Sequence, residues 1–132
     1  LQAARARAPR WAPRYLVVDP GAERLQGWIA ARARAMLDGG WPEEVRRLQD
    51  TVPVDAPAWN ASGYGTVRRL VAGELTRREA EERVAIEVRQ YAKRQRTWFR
   101  HQLAGAPVTW VDPTAPDVDA VVERWWNGEE TA

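Results

Sequence analysis

Between Val88 and His101 the chain carries Arg89, Lys93, Arg94, Arg96 and Arg100 without one carboxylate, and Tyr91, Trp98 and Phe99 are interleaved with them. Cations attract a polyanion and aromatic faces stack on unpaired bases, so this segment is suited to RNA. At about 100° per residue, Arg89, Lys93, Arg96 and Arg100 share a narrow stripe of a helix. Val84, Val88, Tyr91, Trp98, Phe99 and Leu103 fall within a broad face expected to pack. A stripe of this kind also suits a solvated helix. The missing acids favour binding, because a solvated helix interleaves Glu with Arg, as this segment does before residue 88 and not after it.

A second residue of chemical interest is Arg32. Leu25, Ile29, Arg32 and Met36 recur at steps of four, three and four, which puts a guanidinium on the apolar stripe of a helix. It is either a snorkelling residue at the rim or a fork aimed at phosphate oxygens. Gly63-Tyr64-Gly65 is read either as a simple turn or as backbone that comes close to a ligand beside an aromatic ring. His101 reads as a helix-end residue near the last carbonyls. The tryptophans read as core and interface filling, with Trp98 the exception as a stacking platform.

These residues need a scaffold, and 132 residues amount to one domain's worth of chain. With 45% apolar residues and eight Trp, a folded core is expected. The absence of Cys excludes thiolate metal sites, disulfides and thiol nucleophiles, and a single His argues against a His-ligated metal or a Ser/His triad. No apolar run approaches the length of a membrane span. Twenty Lys+Arg against 18 Asp+Glu give a net charge of only +2, unevenly spread. Arg5, Arg7, Arg10 and Arg14 open the chain, and acids dominate from Asp112 onward. The chain starts at Leu1 rather than Met, which suggests a processed or partial chain.

Tyr15 to Val18 reads as a buried strand ending in Asp19-Pro20, with Asp19 as N-cap and Pro20 as first residue of a helix that Gly39-Gly40 stop. Trp41-Pro42-Glu43-Glu44 opens a shorter helix. Residues 49–65 form a long ordered loop or hinge. A helix follows from about Thr66 to Ala72. Thr76-Arg-Arg-Glu79 has capping-box form and opens the longest helix, about Arg77 to Gln102, acidic first and basic last. Val108 to Val111 repeats the strand-then-Asp-Pro pattern, and Val118, Val121, Val122 and Trp125 space like a final amphipathic helix. The fold class is α/β: mostly helical, with two strands of a mainly parallel sheet whose other strands are absent.

Three blocks, WIAARARAMLDGGWPEEVRRL, GYGTVRRLVAGELTRREAEE and RQYAKRQRTWFR, resemble the C-terminal part of tRNA dimethylallyltransferases, also called tRNA isopentenyltransferases. The resemblance covers about residues 12 to 112. It implies the C-terminal portion of a P-loop-NTPase-like fold. It also implies transfer of a dimethylallyl group from dimethylallyl diphosphate to N6 of the adenosine 3′ of the anticodon, with the target base flipped out. Magnesium is implied with the diphosphate, with no ligand in this chain. Arg32 matches the arginine that neutralises the departing pyrophosphate. Asn60, Ala61, Ser62, Gly63, Tyr64 and Gly65 match one tRNA-contacting stretch, and Lys93, Arg94, Gln95, Arg96, Thr97, Trp98, Phe99 and Arg100 match another, with Arg89 beside it.

Trp28, Thr66 and Val88 depart from the family pattern, where Arg, an acid or Gln, and Thr are usual. The phosphate loop, the aspartate general base and most of the RNA-gripping insertion have no counterpart in these residues, so the 132-residue chain alone is expected to be inactive. Residues 1–12 are then the basic return from the insertion, 13–112 the C-terminal part of the transferase core, and 113–132 an acidic helix and tail. The expected partners are the tRNA anticodon arm, dimethylallyl diphosphate and the missing N-terminal half, in the cytoplasm, with a monomer when complete. The alternative is a stand-alone RNA-binding module without catalysis.

Overall fold

The computed structural model describes residues 12–129, so all but Ala12 of the basic lead-in lies outside the described residues, together with residues 130–132 of the acidic tail. In chain order the elements are strand β1 (Tyr15–Val18), helices α1 (Ala22–Asp38) and α2 (Trp41–Gln49), a 3₁₀ turn (Pro57–Asn60), helices α3 (Tyr64–Val71) and α4 (Arg77–Gln102), strand β2 (Val108–Val111) and helix α5 (Val118–Asn127). They divide into two compact units, residues 12–20 with 102–129 and residues 21–101. Among the described residues no helix is long and apolar enough to cross a membrane.

In the first unit β1 and β2 pair in parallel, Tyr15 opposite Val108 and Val18 opposite Val111. The ladder continues at both ends, where Tyr15 N–H donates to the Pro107 carbonyl at 3.0 Å and Asp19 N–H to that of Val111 at 2.9 Å. Val17 and Val111 are buried, whereas Val18 is 59% and Trp110 43% exposed. α5 buries no residue completely. Its Trp125 lies under the Arg14 guanidinium, 5.4 Å from the ring centre.

The second unit holds the larger core, in which Ala33 and Leu37 of α1, Trp41 and Val45 of α2, Trp59, Val67 of α3 and Val84 of α4 form one cluster. Val45, Val67 and Val84 are completely enclosed, each contributing roughly 1.5–3 kcal/mol of burial. Trp59 is the anchor of the loop between α2 and α3. Its indole N–H donates to the Pro53 carbonyl at 2.9 Å while its ring enters the core, so this long segment is an ordered loop with a 3₁₀ turn inside it.

α4 has the bounds its sequence predicts. Thr76 N–H donates to Glu79 Oε2 at 2.8 Å and Glu79 N–H to Thr76 Oγ1 at 3.3 Å, which is the expected capping box, and the Thr76 hydroxyl also donates to Glu79 Oε2 at 2.7 Å. Arg77 pairs with Asp38 at 2.5 Å and Arg34 with Glu81 at 2.9 Å, tying the first turns of α4 to α1.

Four expectations need correction. α1 begins at Ala22, after Gly21 at φ 82°, so Asp19 and Pro20 stand outside the helix; a left-handed glycine, not a side-chain cap, turns the chain into it. The buried stripe of α1 is Ile29, Ala33 and Leu37, which leaves Arg32 and Met36 exposed. The small Ala33 lets the helix sit close to the core, and this shifts the stripe by about one position. α3 starts at Tyr64, two residues early, because Gly63 in the left-handed region (φ 88°) opens it. Finally, only the first half of the broad α4 face packs. Ala80, Val84 and Ala85 are buried, but Tyr91 is 47% and Trp98 55% exposed, since the aromatic positions lie beyond the end of the hydrophobic cluster.

Candidate functional site

The junction of α1 and α2 forms the wall of a concavity of about 510 Å³, into which α3 contributes Tyr64. Gly39 and Gly40 make the sharp turn between the helices, with Gly40 at φ 100°. Arg32, Met36, Trp41, Glu44 and Arg47 line the space with Tyr64. The Tyr64 phenol donates to Glu44 Oε1 at 2.7 Å. That hydrogen bond, assisted by partial burial and the carboxylate charge, raises the phenol's pKa above its ordinary value. The Trp41 ring packs edge-on against Tyr64 with centroids 5.4 Å apart. Arg32, by contrast, has no hydrogen-bonded or ion-paired partner among the described residues. A guanidinium held beside a fixed tyrosine in an open concavity is suited to a mobile anion such as a leaving phosphate group.

The segment Asn60–Gly65 reaches this concavity only through Tyr64. Asn60, Ala61, Ser62 and Gly65 are exposed, whereas Gly63 is buried against the Trp41 indole. A Cβ at Gly63 would collide with that ring, so both the positive φ and the close approach require glycine there.

The basic stretch of α4 divides into two faces. Arg89, Lys93, Arg96 and Arg100, with Thr97, line a cleft of about 430 Å³ whose other wall is Leu25, Gln26 and Ile29 of α1. Arg94, Gln95, Trp98 and Phe99 line a separate notch. There Trp98 and Phe99 meet edge to face at 5.3 Å, and Arg94 stands 5.9 Å over the Tyr91 ring. In the first half of α4 glutamates are paired with arginines, Glu82 with Arg78 of the same helix and Glu81 with Arg34 of α1. Among the described residues Arg89, Lys93 and Arg100 have no such carboxylate partner. The structure therefore brings Arg32 and Tyr64 together, and it keeps the Lys93–Arg100 stretch at surfaces of its own.

Residue patterning did not single out Glu87, Glu44, Arg47 or Trp41. Glu87 of α4 accepts from Gly63 N–H at 2.9 Å and from the Thr66 hydroxyl, and Thr66 is buried. The one sequence signal was the unusual residue at 66. Among the described residues no three His, Asp or Glu side chains converge as metal ligands.

The IPP transferase family model matches residues 1–102. A tRNA dimethylallyltransferase of Corynebacterium jeikeium is 42% identical over 110 residues, 83% of this chain and 34% of its own. One of Deinococcus radiodurans is 34% identical over 120 residues, 88% of this chain and 39% of its own. The crystal structure of a tRNA isopentenylpyrophosphate transferase from Bacillus halodurans superposes with a TM-score of 0.77 at 29% identity, covering 92% of this chain and 39% of that one. The chain thus spans about a third of the length of the curated relatives it matches. Over most of its length, with the three sequence blocks in place on the same fold, the chain belongs to the IPP transferase family.

Proposed function

We propose that this chain provides the C-terminal part of a tRNA dimethylallyltransferase of P-loop-like fold, acting in the cytoplasm on the adenosine 3′ of the anticodon. In that reaction N6 of the adenosine bonds to C1 of the dimethylallyl group as the C1–O bond breaks. The diphosphate leaves with the electron pair, and the N6 proton passes to a base that the resemblance places outside the matched segment.

The observation that carries this reading is Arg32, unpartnered among the described residues, in one concavity with Tyr64. Charge develops on the leaving diphosphate as the bond breaks, and a guanidinium facing it stabilises it more in the transition state than in the ground state. Arg47 adds a second cation to the same wall. Tyr64, held by Glu44, joins this concavity to the RNA-contacting segment Asn60–Gly65. The Lys93–Arg100 stretch, with Arg89, contributes tRNA phosphate and base contacts. Magnesium bound with the diphosphate would supply further charge neutralisation.

The test is Arg32→Ala in a chimaera that places residues 1–132 in the matching segment of the Corynebacterium jeikeium relative. Loss of a transition-state charge partner lowers kcat by about 10²–10³ while tRNA affinity stays nearly constant. An equal loss of turnover and tRNA affinity contradicts the assignment and favours a pure RNA-binding module.

A further inference from the structure

Glu87 occupies the point on α4 where the core ends and the exposed aromatics begin. At about 100° per residue it shares one face with the buried Ala80 and Val84 behind it and with Tyr91, Arg94 and Trp98 ahead, opposite the stripe that lines the cleft with α1. α3 has no side-chain cap of its own. Its cap comes from this other helix: Glu87 Oε2 accepts from Gly63 N–H at 2.9 Å, and Oε1 accepts from the Thr66 hydroxyl. Thr66 is 6% exposed, so both arms of the carboxylate are spent on sheltered donors.

We infer that Glu87 is a positioning residue, whose carboxylate aligns the Asn60–Gly65 segment with the exposed Tyr91, Arg94 and Trp98 row so that the two form one track for the unstacked bases of an RNA loop. This rests on the RNA-binding reading above. Three observations support it beyond the two hydrogen bonds. Tyr91 and Trp98 present nearly half or more of their surface to solvent on the same face of the helix, and apolar surface gathered on one exposed face marks an interaction site. Arg94 lies over the Tyr91 ring, a guanidinium and aromatic pair that stacks on bases. The tethered end is Gly63, whose left-handed backbone fixes the direction of the exposed residues before it. An anionic tether beside a polyanion site is an electrostatic liability, and it is tolerated here because both oxygens are engaged by donors of the segment it holds.

The test compares binding of the chimaera that carries residues 1–132 to an RNA hairpin bearing an anticodon loop and to a fully paired duplex of equal length. Glu87→Ala is expected to weaken hairpin binding about tenfold, the scale of losing such hydrogen bonds, and to leave duplex binding unchanged or slightly stronger as a negative charge is removed. Glu87→Gln, which can still accept from Gly63 and donate to Thr66, should restore most of the hairpin affinity. Should Glu87→Ala fail to fold, Thr66→Val removes one arm of the tether and should give a smaller loss in the same direction. Unchanged hairpin affinity in the Ala or Val variant, parallel loss of both affinities, or a Gln variant as weak as Ala each overturns the inference. A chimaera with Glu87 intact that binds hairpin no better than duplex sinks the RNA-loop reading itself, and the inference with it.

Discussion

Gly63 sits where three demands meet: it opens α3 with φ 88°, it lies against the Trp41 indole, and its N–H is held by Glu87. Gly63→Ala is therefore expected to cost roughly 1–3 kcal/mol from left-handed strain and overpacking, read as a lower urea midpoint with an unchanged m-value. An Ala variant as stable as wild type would contradict this packing. The Gly-Tyr-Gly signal was legible in the sequence as a point of close backbone approach. What it approaches was not, since Trp41 lies more than twenty residues away and was assigned only to the opening of a helix. Arg32 shows the opposite case. Its singularity was visible, but its place was misread as apolar, because Ala33 rather than the larger Met36 faces the core. Its exposure is compatible both with a snorkelling residue at the rim and with a fork aimed at phosphate.

At the scale of elements, α4 was the most legible, because a capping box and a gradient of charge mark its ends locally. Thr76→Ala should destabilise the protein by about 1 kcal/mol, measurable as a fall in urea midpoint. The Glu79 carboxyl is held below the ordinary carboxylate range, first by the Thr76 backbone N–H and then by its hydroxyl. Its folded pKa is depressed, so the cap's contribution is present in full above the unfolded value and fades as acid takes the pH down through the folded value. In Glu79→Ala that stretch of the acid-stability profile should flatten, and in Thr76→Ala, which keeps the backbone N–H and loses the hydroxyl, it should flatten in part; an unchanged profile in Glu79→Ala would argue against the box. The cationic face makes a separate prediction. Replacing Lys93 and Arg100 by Ala should reduce the slope of log affinity against log salt by about 1.5, since each phosphate contact adds about 0.7–0.9 to it. Patterning found this stripe and set Trp98 on another face, yet it expected that face to pack, whereas Arg94 and Trp98 line an open notch. Whether an aromatic is packed depends on how far the rest of the core extends, which no local spacing encodes.

For the whole molecule, two parallel strands with Val18 and Trp110 exposed make an incomplete sheet by the usual rule that parallel strands are covered on both faces. This agrees with a chain that spans about a third of the length of its curated relatives. The strands were legible because each short apolar run ends in the same Asp-Pro punctuation, and their parallel pairing because helices, with no hairpin signal, lie between them. The partnership of Glu87 with Gly63 and Thr66 was not, because it is a tertiary contact between residues more than twenty positions apart. The most direct test of the account is nucleoside analysis of tRNA after incubation with dimethylallyl diphosphate and the chimaera that carries residues 1–132. The account predicts N6-dimethylallyladenosine next to the anticodon with the chimaera and none with the 132-residue chain alone. A chimaera that folds and binds tRNA but leaves that adenosine unmodified, or transfer by the short chain by itself, would contradict it.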